Sequence, residues 1–364
     1  MLTGFSGSYL TSDIQFLLRQ KNIAVTDIAE KERLIQTGQK HYSEMLSTEP
    51  IPSNVHQALY QQAIDTYGLR MARDIQSLAL ALKPLQVRGQ LTLVSFVRAG
   101  VPVAILLTRA LRALGVKVQH YGISIIRDKG LDALALTAII EQHGADSIIF
   151  VDGWTGKGAI SRQLTASLAD DNRFSGQPRL VTLADPCGYA WLSASAEDWL
   201  IPSGILGATV TGLVSRSLYN ADDWHSCNSC THLQEYDVSQ SFIETIDQLR
   251  QTISSDNIIA SQVWTVEQQQ RLQQQSLDVI RHFSHRYAIQ NINHIKVGIA
   301  EATRAVMRRV PEYVFVRELS DPDVALLVHL AQQAGINVLE VGAELERYRA
   351  VTIIKVRTYA SHRD

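Results

Sequence analysis

Apolar positions along this chain fall into two kinds of run. In residues 1–85 they recur at three and four, most clearly in HQALYQQAIDTYGLRMARDIQSLALAL, the period of a helix with one buried face. GSYLTSDIQFLLRQ carries Thr11-Ser12-Asp13 ahead of an apolar run, which predicts a helix capped there. HYSEML gathers His41, Ser43 and Glu44, either at the edge of a site or on a solvated turn. From residue 91 to about 220, apolar runs of strand length alternate with amphipathic stretches. LTLVSF, IIFV and LVTLAD read as buried strands, and WLIPSG as a further strand and turn. Such alternation predicts an α/β domain with a parallel sheet and ligands at the strands' C-terminal ends. Arg98, Asp152 and Asp185 occupy such ends, so this topology lets them converge. A glutamine-rich helical stretch, TVEQQQRLQQQSLDVIRHFSHRY, precedes a second, smaller α/β pattern. The division predicted is a helical N-terminal extension (1–85), an α/β domain (86–262), a helical linker (263–284) and a small α/β domain (285–364).

Chemistry concentrates in IIFVDGWTGKGAI, where a strand ends in Asp152 and a short loop leads into a helix. A loop of this kind presents backbone N–H groups and a helix N-terminus to an anion, while the acid suits sugar hydroxyls. An ordinary glycine-rich turn is the other reading. It is not a Walker A loop, because Gly158 rather than Ser or Thr follows Gly156-Lys157. Upstream, Arg98-Ala99-Gly100 joins another strand to an amphipathic helix.

Together these two stretches resemble the type I phosphoribosyltransferases. In that family the first loop holds pyrophosphate and the second a ribose 5-phosphate. The resemblance implies phosphoribosyl pyrophosphate as donor, Mg²⁺ as cofactor, and a glycosyl transfer through an oxocarbenium-like centre. Arg98, Ala99 and Gly100 would hold pyrophosphate, Asp152 the ribose diol, and Thr155, Gly156, Lys157 and Gly158 the 5-phosphate. GVKVQHYGISIIRDKGLD resembles the family's flexible loop, with Arg127 and Lys129 covering the substrate. Asp185, Tyr189 and Trp191 stand where the family binds the base. The catalytic set implied is Asp152, Arg98 and Lys129. The chain departs from the family at Ala99, which replaces a glycine, and at Gly153, where a second acid is usual. IPSGILGATVTGLVSRS reads as a second anion loop or as a tightly packed turn.

Composition narrows the picture little further. A net charge of −2 gives no global drive toward nucleic acid, so any RNA contact needs a local basic patch. The most apolar stretch is interrupted by arginines, and no signal-peptide pattern opens the chain, so no membrane partner is expected. Three cysteines point to a reducing compartment, with the bacterial cytoplasm as the expected location. His225, Cys227, Cys230 and His232 lie within eight residues and could clasp zinc, although structural sites usually take two separated pairs.

The C-terminal stretch VGIAEATRAVMRRV, followed by EYVFVREL, resembles the Pelota-type RNA-binding domain. The resemblance implies that Glu301 and Arg304 face structured RNA, with Ala300 standing where the superfamily has Asn. Arg308 and Arg309, and toward the end Arg347, Arg349, Lys355 and Arg357, would extend a basic face. Across its full length the chain resembles the StiP family, found beside bacterial tellurite-resistance and stress genes. The expectation is a phosphoribosyltransferase-like enzyme of a stress pathway, acting on a phosphorylated ribose and forming a homodimer. One alternative is a cysteine protease using Cys187 or Cys227, a reading that needs a neighbouring His and an orienting group. Another is an RNA-binding accessory protein without catalysis.

Overall fold

The strands Gln90–Phe96, Ile148–Val151 and Leu180–Ala184 are buried along almost their whole length. A parallel sheet covered on both faces demands this. In the computed structural model, which describes residues 2–174 and 176–355, they form the centre of a six-stranded parallel sheet. The order across it is Gln15–Phe16, Lys117–Ile123, Gln90–Phe96, Ile148–Val151, Leu180–Ala184 and Leu192–Ser195. Alternate side chains serve alternate faces. Leu93, Ile149 and Val151 pack with helices Asn54–Leu82, Gly100–Ala113 and Ser239–Gln251. Val94, Phe96 and Phe150 pack with helices Ala133–His143 and Ala159–Leu168.

The start of the chain departs from the predicted capped helix. Gln15–Phe16 and Arg19–Gln20 are short strands, the first joining the edge of the sheet beside Tyr121–Gly122. Asp13 caps nothing there; its carboxylate takes the Arg109 guanidinium. Sheet pairing and the burial of Ile14, Phe16 and Leu17 override a local helix signal. WLIPSG is also not a strand: Pro202–Ile205 is one helical turn, wholly buried. The small-residue segment after it is packed interior, with Ala208, Thr209 and Val210 buried.

The C-terminal unit holds a four-stranded sheet in the order Ile295–Val297, Ala350–Ile354, Pro311–Val316 and Asn337–Glu340. The first three are antiparallel neighbours and the last pair is parallel. The glutamine-rich helix Val266–Arg286 is more than a connector. Val279, Ile280 and Phe283 enter this unit's own core beside Phe315 and Tyr348. Arg357 lies outside the described residues.

The two units dock through backbone groups. Asp198 of the larger unit is buried, and its carboxylate accepts from Ile299 N–H at 3.0 and 3.2 Å and from Arg349 N–H at 2.9 Å. Gly298 makes this approach available. It has φ of 88°, and a Cβ there would sit 3.2 Å from Asp198 Oδ1. In return Asp323 accepts from Leu200 N–H at 3.1 Å and from the Tyr67 hydroxyl. Asp198→Ala strands two buried donors, and each such loss costs about 1–3 kcal/mol. The expected result is a lower urea midpoint and faster proteolysis between residues 252 and 265; an unchanged midpoint and cleavage rate would contradict this docking role.

Candidate functional site

Where the strands end, the loops after Phe96 and after Val151 lie against each other, and a Cβ on Gly153 would come within 2.9 Å of the Ala99 carbonyl. Above them sits the helix Ile299–Arg308 of the C-terminal unit. Between these parts is a cavity of about 360 Å³. Of the residues singled out by sequence, Arg98, Ala99, Arg127, Asp152, Thr155, Gly156, Lys157, Gly158, Glu301 and Arg304 line it. Gly100, Lys129, Asp185, Tyr189 and Trp191 do not.

The reasons are local. Asp185 is fully buried and its oxygens are taken by the Thr155 hydroxyl, Tyr189 N–H, Ala190 N–H and Trp264 Nε1. It organises its own loop and faces no open space. The Tyr189 ring covers Gly158, which adopts φ of 73°, and has the Arg162 guanidinium 4.9 Å from its centre. Lys129 lies over Tyr219 at the tip of the hairpin Ile125–Ile126 and Gly130–Leu131. Arg127, at the same tip, reaches the cavity beside Tyr42. Arg98 is not free: it donates to the Val214 carbonyl at 3.0 Å and pairs with Glu49. Glu301 and Arg304 face inward. Arg304 lies 4.5 Å from the centre of the Trp154 ring, and Glu301 abuts Gly156, so neither presents a free RNA face.

Sequence reasoning missed Trp154, Lys31, Arg216 and Lys296, which also line this cavity. Arg308 and Arg309, which the sequence marks only as added charge, line it as well. Burial drives Lys157 down to about 6, Lys296 to about 8 and Arg308 to about 9, with neighbouring cations adding to the effect. Burial also pushes Asp152 up to about 7.

A second cavity, of about 480 Å³, lies behind Arg216 and Arg308, which line both. It is bounded by Glu49, His56, Cys230 and His232 among others. Burial acts to raise the Glu49 carboxyl, but Arg98 and Arg308 hold it down to about 2.

Residues 7–247 match the family described as "Tellurite-like stress resistance cysteine protease StiP", and residues 274–356 match the "PELOTA RNA binding domain". A protein of Acinetobacter baylyi (strain ATCC 33305 / BD413 / ADP1), "Cysteine protease StiP", is 49% identical over 97% of this chain and 94% of its own length. The chain belongs to the StiP family. Among solved structures, an inhibitor-bound glycine decarboxylase (P-protein) matches with a TM-score of 0.23 and 10% identity over 92% of this chain and 87% of its own, too weak to inform the fold. The StiP match overturns the expectation of a phosphoribosyltransferase, and with it the phosphoribosyl pyrophosphate and magnesium that expectation brought, since family and relative alike carry the name of a cysteine protease. What stands of the fold is a mixed α/β chain with a six-stranded parallel sheet. No helix among the described residues is long and apolar enough to cross a membrane.

The StiP name turns attention to the thiols. Cys187 is fully buried, donates to Thr155 Oγ1 at 3.0 Å, and is pushed well above the usual thiol range by burial and by Asp185. Cys227 sits in the short strand Ser226–Cys227 beside Arg19–Gln20, and burial raises it to about 12. Cys230 is raised to about 11 by burial and borders the second cavity. The proposed zinc set does not assemble. His225 Nδ1 is 2.8 Å from Ser124 Oγ and His232 Nε2 is 3.0 Å from the Glu49 carbonyl. Among the described residues no group of three or more His, Cys, Asp or Glu is arranged to hold a metal ion.

Asp152 supplies a test of this electrostatic picture. Its acid form is favoured in the folded chain, so its stabilising contribution is full below about 3.8 and lost as pH rises through about 7. Asp152→Asn should therefore leave stability at about pH 4 nearly unchanged and raise it at pH 8, by up to about 4 kcal/mol. Melting curves across that range check it, and equal shifts at both ends would refute it.

Proposed function

We propose that the chain is a thiol peptidase, in keeping with its family's name, with Cys230 rather than Cys187 or Cys227 as nucleophile. The observation that carries this choice is that Cys230 borders the larger cavity together with His56 and His232, whereas the other two cysteines border neither large cavity. His232 Nε2 faces a backbone carbonyl at 3.0 Å, so in the neutral ring that nitrogen carries the proton and Nδ1 keeps its lone pair. His56 has the same arrangement against the Ile205 carbonyl at 2.9 Å, and burial holds it below its ordinary value and therefore neutral. Each ring is thus oriented by a backbone carbonyl, with Nδ1 left to act as a base. The thiol, protonated at rest, adds through sulfur to a peptide carbonyl. Its proton passes to imidazole Nδ1 and then to the departing amine, and water splits the thioester.

Casein turnover and labelling by a thiol-directed electrophile, mapped by mass spectrometry, test this reading. Cys230→Ser should lose label and at least about 100-fold in turnover, while Cys187→Ser keeps both. Label on Cys187, or full turnover by Cys230→Ser, sinks the assignment.

The match of residues 274–356 supports a second reading, for the C-terminal unit alone: contact with RNA. Its helix Ile299–Arg308 is turned toward the larger unit, so the contact face lies elsewhere on the unit. In filter binding with a structured RNA, Arg304→Gln should retain RNA as the unaltered chain does; failure of the unaltered chain to bind removes the reading.

A further inference from the structure

The larger cavity is apolar over much of its wall and cationic at one end. Ile23, Leu46, Ile51, Leu206, Leu233 and Met307 belong to the apolar part. Lys31, Arg216 and Arg308 belong to the end it shares with the smaller cavity. Among the described residues, Glu49 is the one carboxylate in this wall. It is already shared: Arg98 pairs with it, Arg308 Nη2 lies 3.8 Å from it, and Ala208 N–H donates to it. Arg216 donates to the Tyr42 and Met45 carbonyls, which orient its guanidinium without neutralising it. Burial and the charges of Arg216, Arg309 and Arg308 bring Lys31 down to about 8. One shared carboxylate therefore faces several cations, an excess that is costly to bury unless a ligand brings negative charge.

We propose that this cavity selects peptides by a free C-terminal carboxylate facing Arg216 and Arg308, with the terminal residue's apolar side chain against the apolar wall. For its peptide chemistry the inference rests on the thiol-peptidase reading of the same cavity. A guanidinium recognises a carboxylate through charge-assisted hydrogen bonds, while an internal peptide bond or a terminal amide brings no charge. A multiply charged anion would lose its water against Ile23, Leu46 and Leu233 with nothing to replace it. A cavity of about 480 Å³ takes a few residues of chain, not a folded protein. The C-terminal unit completes the selection, since Met307 and Arg308 lie on its helix Ile299–Arg308 or at that helix's end.

Isothermal titration of the full chain carrying Cys230→Ser, with benzoyl-glycyl-leucine and with its C-terminal amide, tests the proposal. The acid should bind at least about tenfold more tightly than the amide, and more tightly than benzoyl-glycyl-lysine. Added to this chain, Arg216→Gln and Arg308→Gln should each lower affinity for the acid about tenfold and leave that for the amide unchanged. Lys296→Gln, which removes a cation from the wall of the smaller cavity alone, should change neither. Equal binding of acid and amide, or no binding of either, overturns the proposal. So does a loss in Lys296→Gln as large as in the arginine variants. The comparison of acid with amide needs no change at the cationic end, so it decides even where an arginine variant fails to fold. Binding does not depend on turnover: preference for the acid in a chain that leaves casein intact removes the peptidase and keeps the carboxylate site. Casein turnover without that preference does the reverse.

Discussion

Asp198 reaches from the larger unit to the N–H groups of Ile299 and Arg349, where the C-terminal unit's inner helix begins and its last strand is entered. A buried carboxylate is expensive to hold, and burial raises this one to about 6. The cost is offset because those N–H groups would otherwise be buried without acceptors. With the start of Ile299–Arg308 pinned, the direction of every side chain along it follows from helical geometry. Arg304 and Arg308, one turn apart, both point toward the strand ends of the other unit. The Tyr348 hydroxyl on the Gly156 carbonyl at 2.7 Å, and Lys157 Nζ on the Ile295 carbonyl at 3.1 Å, tie the loop to the same unit from opposite directions.

The two cavities differ in character although a few side chains separate them. One is a concentration of cations in which two buried guanidinium nitrogens have no hydrogen-bond partner. In the other, buried thiol and imidazole groups are held neutral, Cys230 raised and His56 lowered by the same loss of water. Glu49 connects them. Its carboxylate pairs with Arg98, lies 3.8 Å from Arg308 and accepts from Ala208 N–H, while its backbone carbonyl receives His232. One residue thus neutralises part of the first cavity and sets the tautomer of a histidine in the second.

The central strands and the residues at their C-terminal ends were legible in the sequence because runs such as IIFV and LVTLA are buried on both faces and leave no competing period. The convergence of Arg98 with Asp152 followed from that topology alone. Asp185 shows where such reasoning stops: it stands at a strand end as expected, but most of its donors, Thr155, Trp264 and the N–H groups of Tyr189 and Ala190, are distant in the chain or hidden in backbone. The N-terminal strands were illegible for a different reason. Ser12-Asp13 before an apolar run is a sound local signal, defeated by an edge of sheet more than a hundred residues away. Cys230 drew attention only through its spacing to Cys227 and the nearby histidines. Its association with His56 depends on the packing of the helix Asn54–Leu82 against Ile205, for which no short motif exists. The inward face of Arg304 was hidden by the resemblance itself, which supplied an outward one.

Two separate family matches divide this chain near residues 247 and 274, as though two parts had been joined end to end. The wall of the smaller cavity ignores that division, since Asp152 and Lys157 come from one part and Lys296, Arg304 and Arg308 from the other. Such a site cannot be inherited by either half. A recombination that exchanged the C-terminal unit for a relative's would have to carry matching residues at these positions and a glycine equivalent to Gly298. The heritable module is therefore the joined pair, and substitutions on the two sides of the seam are bound to change together.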